Sequence, residues 1–137
     1  MGTDLEAMIA TIPLAAYTGT DGTVPVFPAK QRTRILGVDL VCSTTVTGNT
    51  TNYSTAALVN KGTDGAGTTT VASKAFTSGV NAAAYDATAI TLSTTESALE
   101  LAAGDVLAFN WLEAGTGLDQ PVSLLAIYFV PGYGGGI

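Results

Sequence analysis

Short runs rich in Thr, Val, Ile and Leu follow one another along the whole chain, with glycine or Asp-Gly between them. An amphipathic helix needs apolar residues three and four apart over ten or more positions, and the pattern here does not sustain that spacing. Thr, Val and Ile carry two heavy atoms on Cβ, which favours extended backbone. The chain therefore has to be built from strands. The strand-like runs are 8–16, 23–27, 33–43, 56–60, 69–76, 89–93, 98–101, 106–112 and 122–130. In the third, Leu36, Val38, Leu40 and Cys42 line one face, with Arg34, Gly37 and Asp39 around the other.

Turns punctuate these runs. Gly-Thr-Asp-Gly occurs twice, at 19–22 and 62–65, and Asp-Gly turns readily because glycine accepts positive φ and Asp bonds its own backbone. The flanking sequences differ, so two copies of a turn do not make a repeat protein. Residues 44–54, rich in Thr, Asn and Gly, read as an exposed loop, and 78–86 is the one place where a short helical turn fits. Nine short strands at this spacing predict an all-β fold, a jelly-roll-like β-sandwich of about eight strands. Residues 1–16 form an N-terminal arm or added edge strand, and 17–137 a single sandwich domain.

The missing residue types narrow the function. There is no histidine, which removes Ser-His-Asp and Cys-His catalysis and the usual zinc sites. Catalysis would rest on Glu96, Glu100, Asp105, Glu113 and Asp119, whose spacing suggests scattered turn and rim positions rather than a paired cleft. The expectation is a protein that is not an enzyme and carries no cofactor or metal. Asp21 and Asp64 could ligate calcium, yet each stands alone among Thr and Gly, so both read as turn formers. Gly65-Ala66-Gly67 lacks the helix and Lys-Ser/Thr of a phosphate loop. Asn49-Thr50-Thr51 and Asn52-Tyr53-Ser54 match the glycosylation pattern, which Thr-rich loops meet by chance.

The net charge is −6, and Lys30, Arg32 and Arg34 are the one basic cluster, which predicts no nucleic-acid partner. Cys42 is the single cysteine and reads as a small buried thiol, with no intrachain disulfide open to it. The acidic start lacks a signal-peptide or myristoylation pattern, and no apolar run is long enough to span a bilayer as a helix. A soluble protein made in a cytoplasm, with no membrane partner, is expected.

Charged residues make up just 12% of the chain. A surface this poor in charge is either covered by a partner or belongs to a secreted monomer coated in Thr and Ser. The last run points to the former. A strand with one wet face should alternate, whereas Leu125, Ile127 and Phe129 on one side and Val122, Leu124, Ala126, Tyr128 and Val130 on the other are apolar or aromatic. The run 106–112 behaves similarly, with Leu107, Phe109 and Trp111 on one side and Val106, Ala108 and Leu112 on the other; Asn110 is the exception. Loops or the N-terminal strand could cover the second face of the last run, or a second subunit could; the low charge makes it the predicted oligomer interface. Trp111 with Tyr17, Tyr53, Tyr85, Tyr128 and Tyr133 could instead build a sugar-stacking platform, although Trp111 sits among core residues.

Residues 89–131 carry Ala-Ile-Thr-Leu, then Leu-Glu-Leu-Ala-Ala-Gly-Asp-Val-Leu-Ala-Phe, Gly-Thr-Gly-Leu-Asp-Gln-Pro-Val and Ile-Tyr-Phe-Val-Pro. This third of the chain resembles small jelly-roll proteins of tailed-bacteriophage virions, most of all the head decoration or cement proteins, and also some fibre-knob domains. The resemblance implies a catalytically silent symmetric oligomer, a trimer before a dimer, on the outer capsid surface where it bridges and stabilises major capsid protein subunits. Met8, Ile9, Ile12 and Leu14 would then suit an arm that adds to a neighbour's sheet edge. The rival reading is a receptor- or carbohydrate-binding knob using Tyr53, Tyr85 or loop Asp residues.

Overall fold

The computed structural model describes residues 6–18 and 20–132. Among the described residues ten strands follow in chain order: β1 (Met8–Leu14), β2 (Gly22–Pro28), β3 (Thr33–Cys42), β4 (Tyr53–Asn60), β5 (Thr69–Ala75), β6 (Ala87–Ala89), β7 (Thr91–Leu92), β8 (Glu100–Leu101), β9 (Val106–Ala114) and β10 (Ser123–Pro131). One sheet runs β1-β10-β3-β6, with β8 also on β3, and the other β2-β9-β4-β5-β7. The pairings are antiparallel. Successive strands cross from one sheet to the other except at the β4–β5 hairpin, and β9–β10 closes beside the chain's first two strands. This is jelly-roll topology, as the strand pattern predicts. Among the described residues no helix is long and apolar enough to cross a membrane.

The core lies between the sheets. Trp111, Phe76, Ile35, Leu40, Leu58, Leu101, Leu107, Leu125 and Ile127 are almost fully buried there, each contributing about 1.5–3 kcal/mol on removal from water. Phe27 meets Phe129 edge-on at 4.9 Å between ring centroids. Cys42 is buried, and that burial pushes its thiol pKa up, opposed by a hydrogen bond with Ser123. β6 and β7 are one strand that changes sheet at buried Ile90, whose N–H donates to Val38 O at 2.8 Å.

Several local expectations fail for tertiary reasons. β3 carries a bulge, with Phe129 opposite Ile35 but Tyr128 opposite Gly37. The extra residue is Leu36, which is pushed outward to 45% exposure while Ile35 takes the inward place. Residues 78–86 form turns rather than a helix, and the sole 3-10 helix among the described residues is Glu96–Leu99, where a strand start was expected. Nor is 44–54 a free loop. Val46 is buried and pairs with Ala82, Asn81 Oδ1 accepts from Gly48 N at 2.7 Å, and β4 already begins at Tyr53.

The closeness of that packing shows at Gly48. A Cβ there would lie 1.8 Å from Thr77 O, so no other residue fits without parting the two loops.

Candidate functional site: the outer face of the first sheet

Register decides which residues look outward from the first sheet. In β1, Ala10, Ile12 and Leu14 pack toward the core, so Ile9, Thr11 and Pro13 face out. They stand opposite Tyr128, Ala126 and Leu124 of β10, which in turn stand opposite Gly37, Asp39 and Val41 of β3. Ala89 and Ala87 of β6 continue the rows beside Asp39 and Val41. The result is a four-strand face made mostly of aliphatic side chains.

Its one charge along these rows, Asp39, is engaged within the chain. Tyr128 lies over Gly37, where an added Cβ would meet its ring at 3.3 Å, and its hydroxyl donates to Asp39 Oδ2 at 3.1 Å. That hydrogen bond and the Asp39 charge raise the Tyr128 pKa above its ordinary 10.0, because both favour the neutral phenol. At the loop end, Val122 is 57% and Tyr85 78% exposed, and with Val41 and Leu124 they edge a shallow groove of about 390 Å³. Tyr85 has φ 60°, a left-handed backbone rare outside glycine and Asn, held by its N–H to Cys42 O at 2.8 Å.

The other end of the face is ionic. Val130 stands opposite Arg34, and Arg34 opposite Glu100. Arg34 pairs with Glu96 and, at 3.7 Å, with Glu100, and Arg32 reaches Glu100 at 3.2 Å. Arg32 and Arg34 of the basic cluster are thereby matched by carboxylates from the 3-10 helix and β8, two of the five candidate catalytic carboxylates. Asp105 Oδ2 accepts from Asn60 Nδ2 and Ala102 N, both at 2.9 Å, so the Ala-Gly-Asp motif is a turn that starts β9. Glu113 and Asp119 are exposed.

The predicted interface residues Val122, Leu124, Ala126, Tyr128 and Val130 thus share one face, although Ala126 is 8% exposed between its neighbours. The four arm residues divide. Met8 and Ile9 are exposed, whereas Ile12 and Leu14 pack against this chain's own core, because β1 is the edge strand of its own sheet. Residues 1–5 of the predicted arm, and Tyr133, lie outside the described residues.

The opposite sheet turns a different surface outward. Ala57, Val59 and Ala108 are covered near its centre, and Thr23, Thr70, Ser73 and Thr91 are exposed around them. Asn110 sits among them with its Oδ1 buried and unpaired. Leu112 is 38% exposed.

Between the edge strands β1 and β2 runs a cleft of about 480 Å³, lined by Leu14, Tyr17, Asp21, Val24, Trp111 and Gln120 among others. Its polar groups serve the fold. Tyr17 Oη donates to Asp21 O at 2.7 Å, Asp21 Oδ1 accepts from Glu113 N at 2.8 Å, and Gln120 exchanges backbone hydrogen bonds with Tyr17. Trp111 is 1% exposed and its Nε1 donates to Leu118 O at 2.7 Å, which makes it a core residue. Tyr53, expected in a loop, begins β4 opposite Ala114 and is half-buried.

The remaining motifs are structural as well. Asp64 Oδ1 accepts from Ala66 N in the β4–β5 turn. Asn49 Oδ1 accepts from Thr51 N and Asn52 N, and Asn52 Oδ1 from Thr116 N, so both Asn side chains of the glycosylation pattern hold turns. Among the described residues no group of three His, Cys, Asp or Glu side chains could hold a metal ion.

No family model and no curated protein matches the chain. Among solved structures, a chain from the structure of infectious bursal disease virus, Gx strain, is similar at a TM-score of 0.45 and 16% sequence identity. The alignment covers 96% of this chain and 36% of that one, so this protein spans about a third of that chain's length.

Proposed function

We propose that the protein is a structural component of a virion, a decoration or cement protein seated on the outer surface of the head, where it contacts major capsid protein and ties neighbouring subunits together as a homo-oligomer. The observation that carries the reading is the aliphatic outer face of the first sheet, a surface suited to being covered. The four loops at one end of the sandwich (15–21, 43–52, 76–86 and 115–122) support it. Their described residues carry Asp21, Asp86 and Asp119 and no Lys or Arg, which disfavours contact with packaged nucleic acid and suits the outside of a head. The resemblance of 89–131 to cement proteins points the same way. We assign the protein no catalytic step, no cofactor and no membrane partner.

The test is reconstitution. Purified protein added to heads that lack it should co-sediment with them and raise the temperature at which they release their genome. Heads that neither bind it nor gain heat resistance would overturn the reading. One observation favours the carbohydrate-binding alternative, the 78% exposed Tyr85 beside its groove. Glycan-array binding that is lost in Tyr85→Ala would establish that reading instead.

A further inference from the structure

We infer that two copies of this chain pair through the outer faces of their β1-β10-β3-β6 sheets, sheet against sheet across a two-fold axis. The inference takes its purpose from the assembly reading above, but its grounds are the surface itself.

Charge selects the occupant. The chain carries −6, and the described loops at one end are acidic with no basic residue, so two copies meeting there would set like charges together. At the other end Arg32 and Arg34 are already matched by Glu96 and Glu100. The face between presents Ile9, Val41, Leu124 and Ala87, with Asp39 held by Tyr128. A cationic partner would be drawn to the acidic loops instead. That face carries one carboxylate per copy along its rows, Asp39, hydrogen-bonded to Tyr128, so it is where a second acidic copy meets the fewest like charges.

Symmetry follows from there being one such face. A ring of three uses two different patches that fit each other, whereas a two-fold pair uses the same patch twice. The outside of the second sheet sets the exposed hydroxyls of Thr23, Thr70, Ser73 and Thr91 around Ala57, Val59 and Ala108, which are buried and so present little aliphatic surface to a partner. Four strands about 4.8 Å apart, with outward residues about 6.7 Å apart along three rows, give a footprint of roughly 400 Å² per copy. Val122, Tyr85 and Leu36 protrude beyond it, 57%, 78% and 45% exposed. Together they bring the buried total to roughly the 1,000 Å² at which specific interfaces begin, which predicts a reversible dimer.

Sedimentation velocity of the full chain from about 1 to about 100 µM tests this, since small specific interfaces dissociate within such a range. The wild type should pass from monomer to dimer. Leu124→Lys, at a site 39% exposed, should stay folded by circular dichroism and weaken dimerisation at least about tenfold, because the interface would bury an unpaired charge. Leu112→Lys, 38% exposed on the opposite sheet, should dimerise as the wild type does.

A wild type that is monomeric throughout, a trimer, or a Leu124→Lys variant that pairs normally would overturn the inference. A monomer that still binds and stabilises heads removes this pairing and leaves the decoration reading standing. A dimer that ignores heads confirms the pairing and removes that reading.

Discussion

Replacing Trp111 by Phe separates a core tryptophan from a ligand platform. The indole is 1% exposed, lies 5.8 Å from the Phe76 ring, and donates from Nε1 to Leu118 O at 2.7 Å. Phe removes roughly 40 Å³ of side chain, and at about 24 cal/mol per Å³ an uncollapsed void costs about 1 kcal/mol. The lost hydrogen bond adds about 1 kcal/mol. Leu118 O keeps Ser54 Oγ as a donor at 3.2 Å, so the carbonyl is not orphaned and that figure is not exceeded. The transfer free energy of the deleted atoms brings the expected loss to about 2–3 kcal/mol. For a domain of this size that is a fall in Tm of roughly 8–12 °C. Urea unfolding followed by far-ultraviolet circular dichroism reads it without depending on indole emission, with the denaturant slope unchanged. A loss below about 0.5 kcal/mol would refute the reasoning, since an indole that can be shortened at no cost is not sealed in a packed core.

Three further outcomes are expected. Gly48→Ala sets a methyl group 1.8 Å from Thr77 O and 2.4 Å from Val80 O, so it should destabilise by about 3 kcal/mol or more; a thermal melt within a few degrees of wild type would mean the two loops are not packed together. Tyr128 should ionise above 10.0 when followed by phenolate absorbance, and Asp39→Asn should bring it back toward that value. Because the folded-state pKa is the higher one, the contact's contribution is fully present below the unfolded pKa of about 10 and is lost as pH rises through the folded value. Cys42, buried and with its thiol pKa raised, should react with a water-soluble disulfide reagent no faster than the protein unfolds; a rapid reaction in native buffer would contradict its place in the core.

The apolar positions of β9 and β10 could be read without a structure. Leu107, Phe109 and Trp111, and Leu125 and Ile127, are inward because the two-residue period of a strand leaves them no other common face. The absence of histidine likewise removes imidazole-based catalysis from this sequence. Other features depend on partners distant in sequence. Leu36 and Ile35 exchange faces because β3 must accommodate a bulge opposite β10, and a bulge has no signature in a run of aliphatic residues. The 44–54 segment is ordered because Val46 meets Ala82, and Arg32 and Arg34 are matched by acids more than sixty positions away in sequence.

The strand pattern, the turns and the aliphatic character of both faces of β10 were determined locally, by side-chain branching, glycine and a period of two. How far the second face remained open was a tertiary matter. The edge position of β1, the flat ring of Tyr128 over Gly37 and the pairing of β6 beside β3 set the outer field, because each depends on which strand lies alongside which. Sequence alone named the residues of the candidate surface on β10. Their neighbours Ile9, Val41, Ala87 and Ala89 joined them only through the register of three other strands.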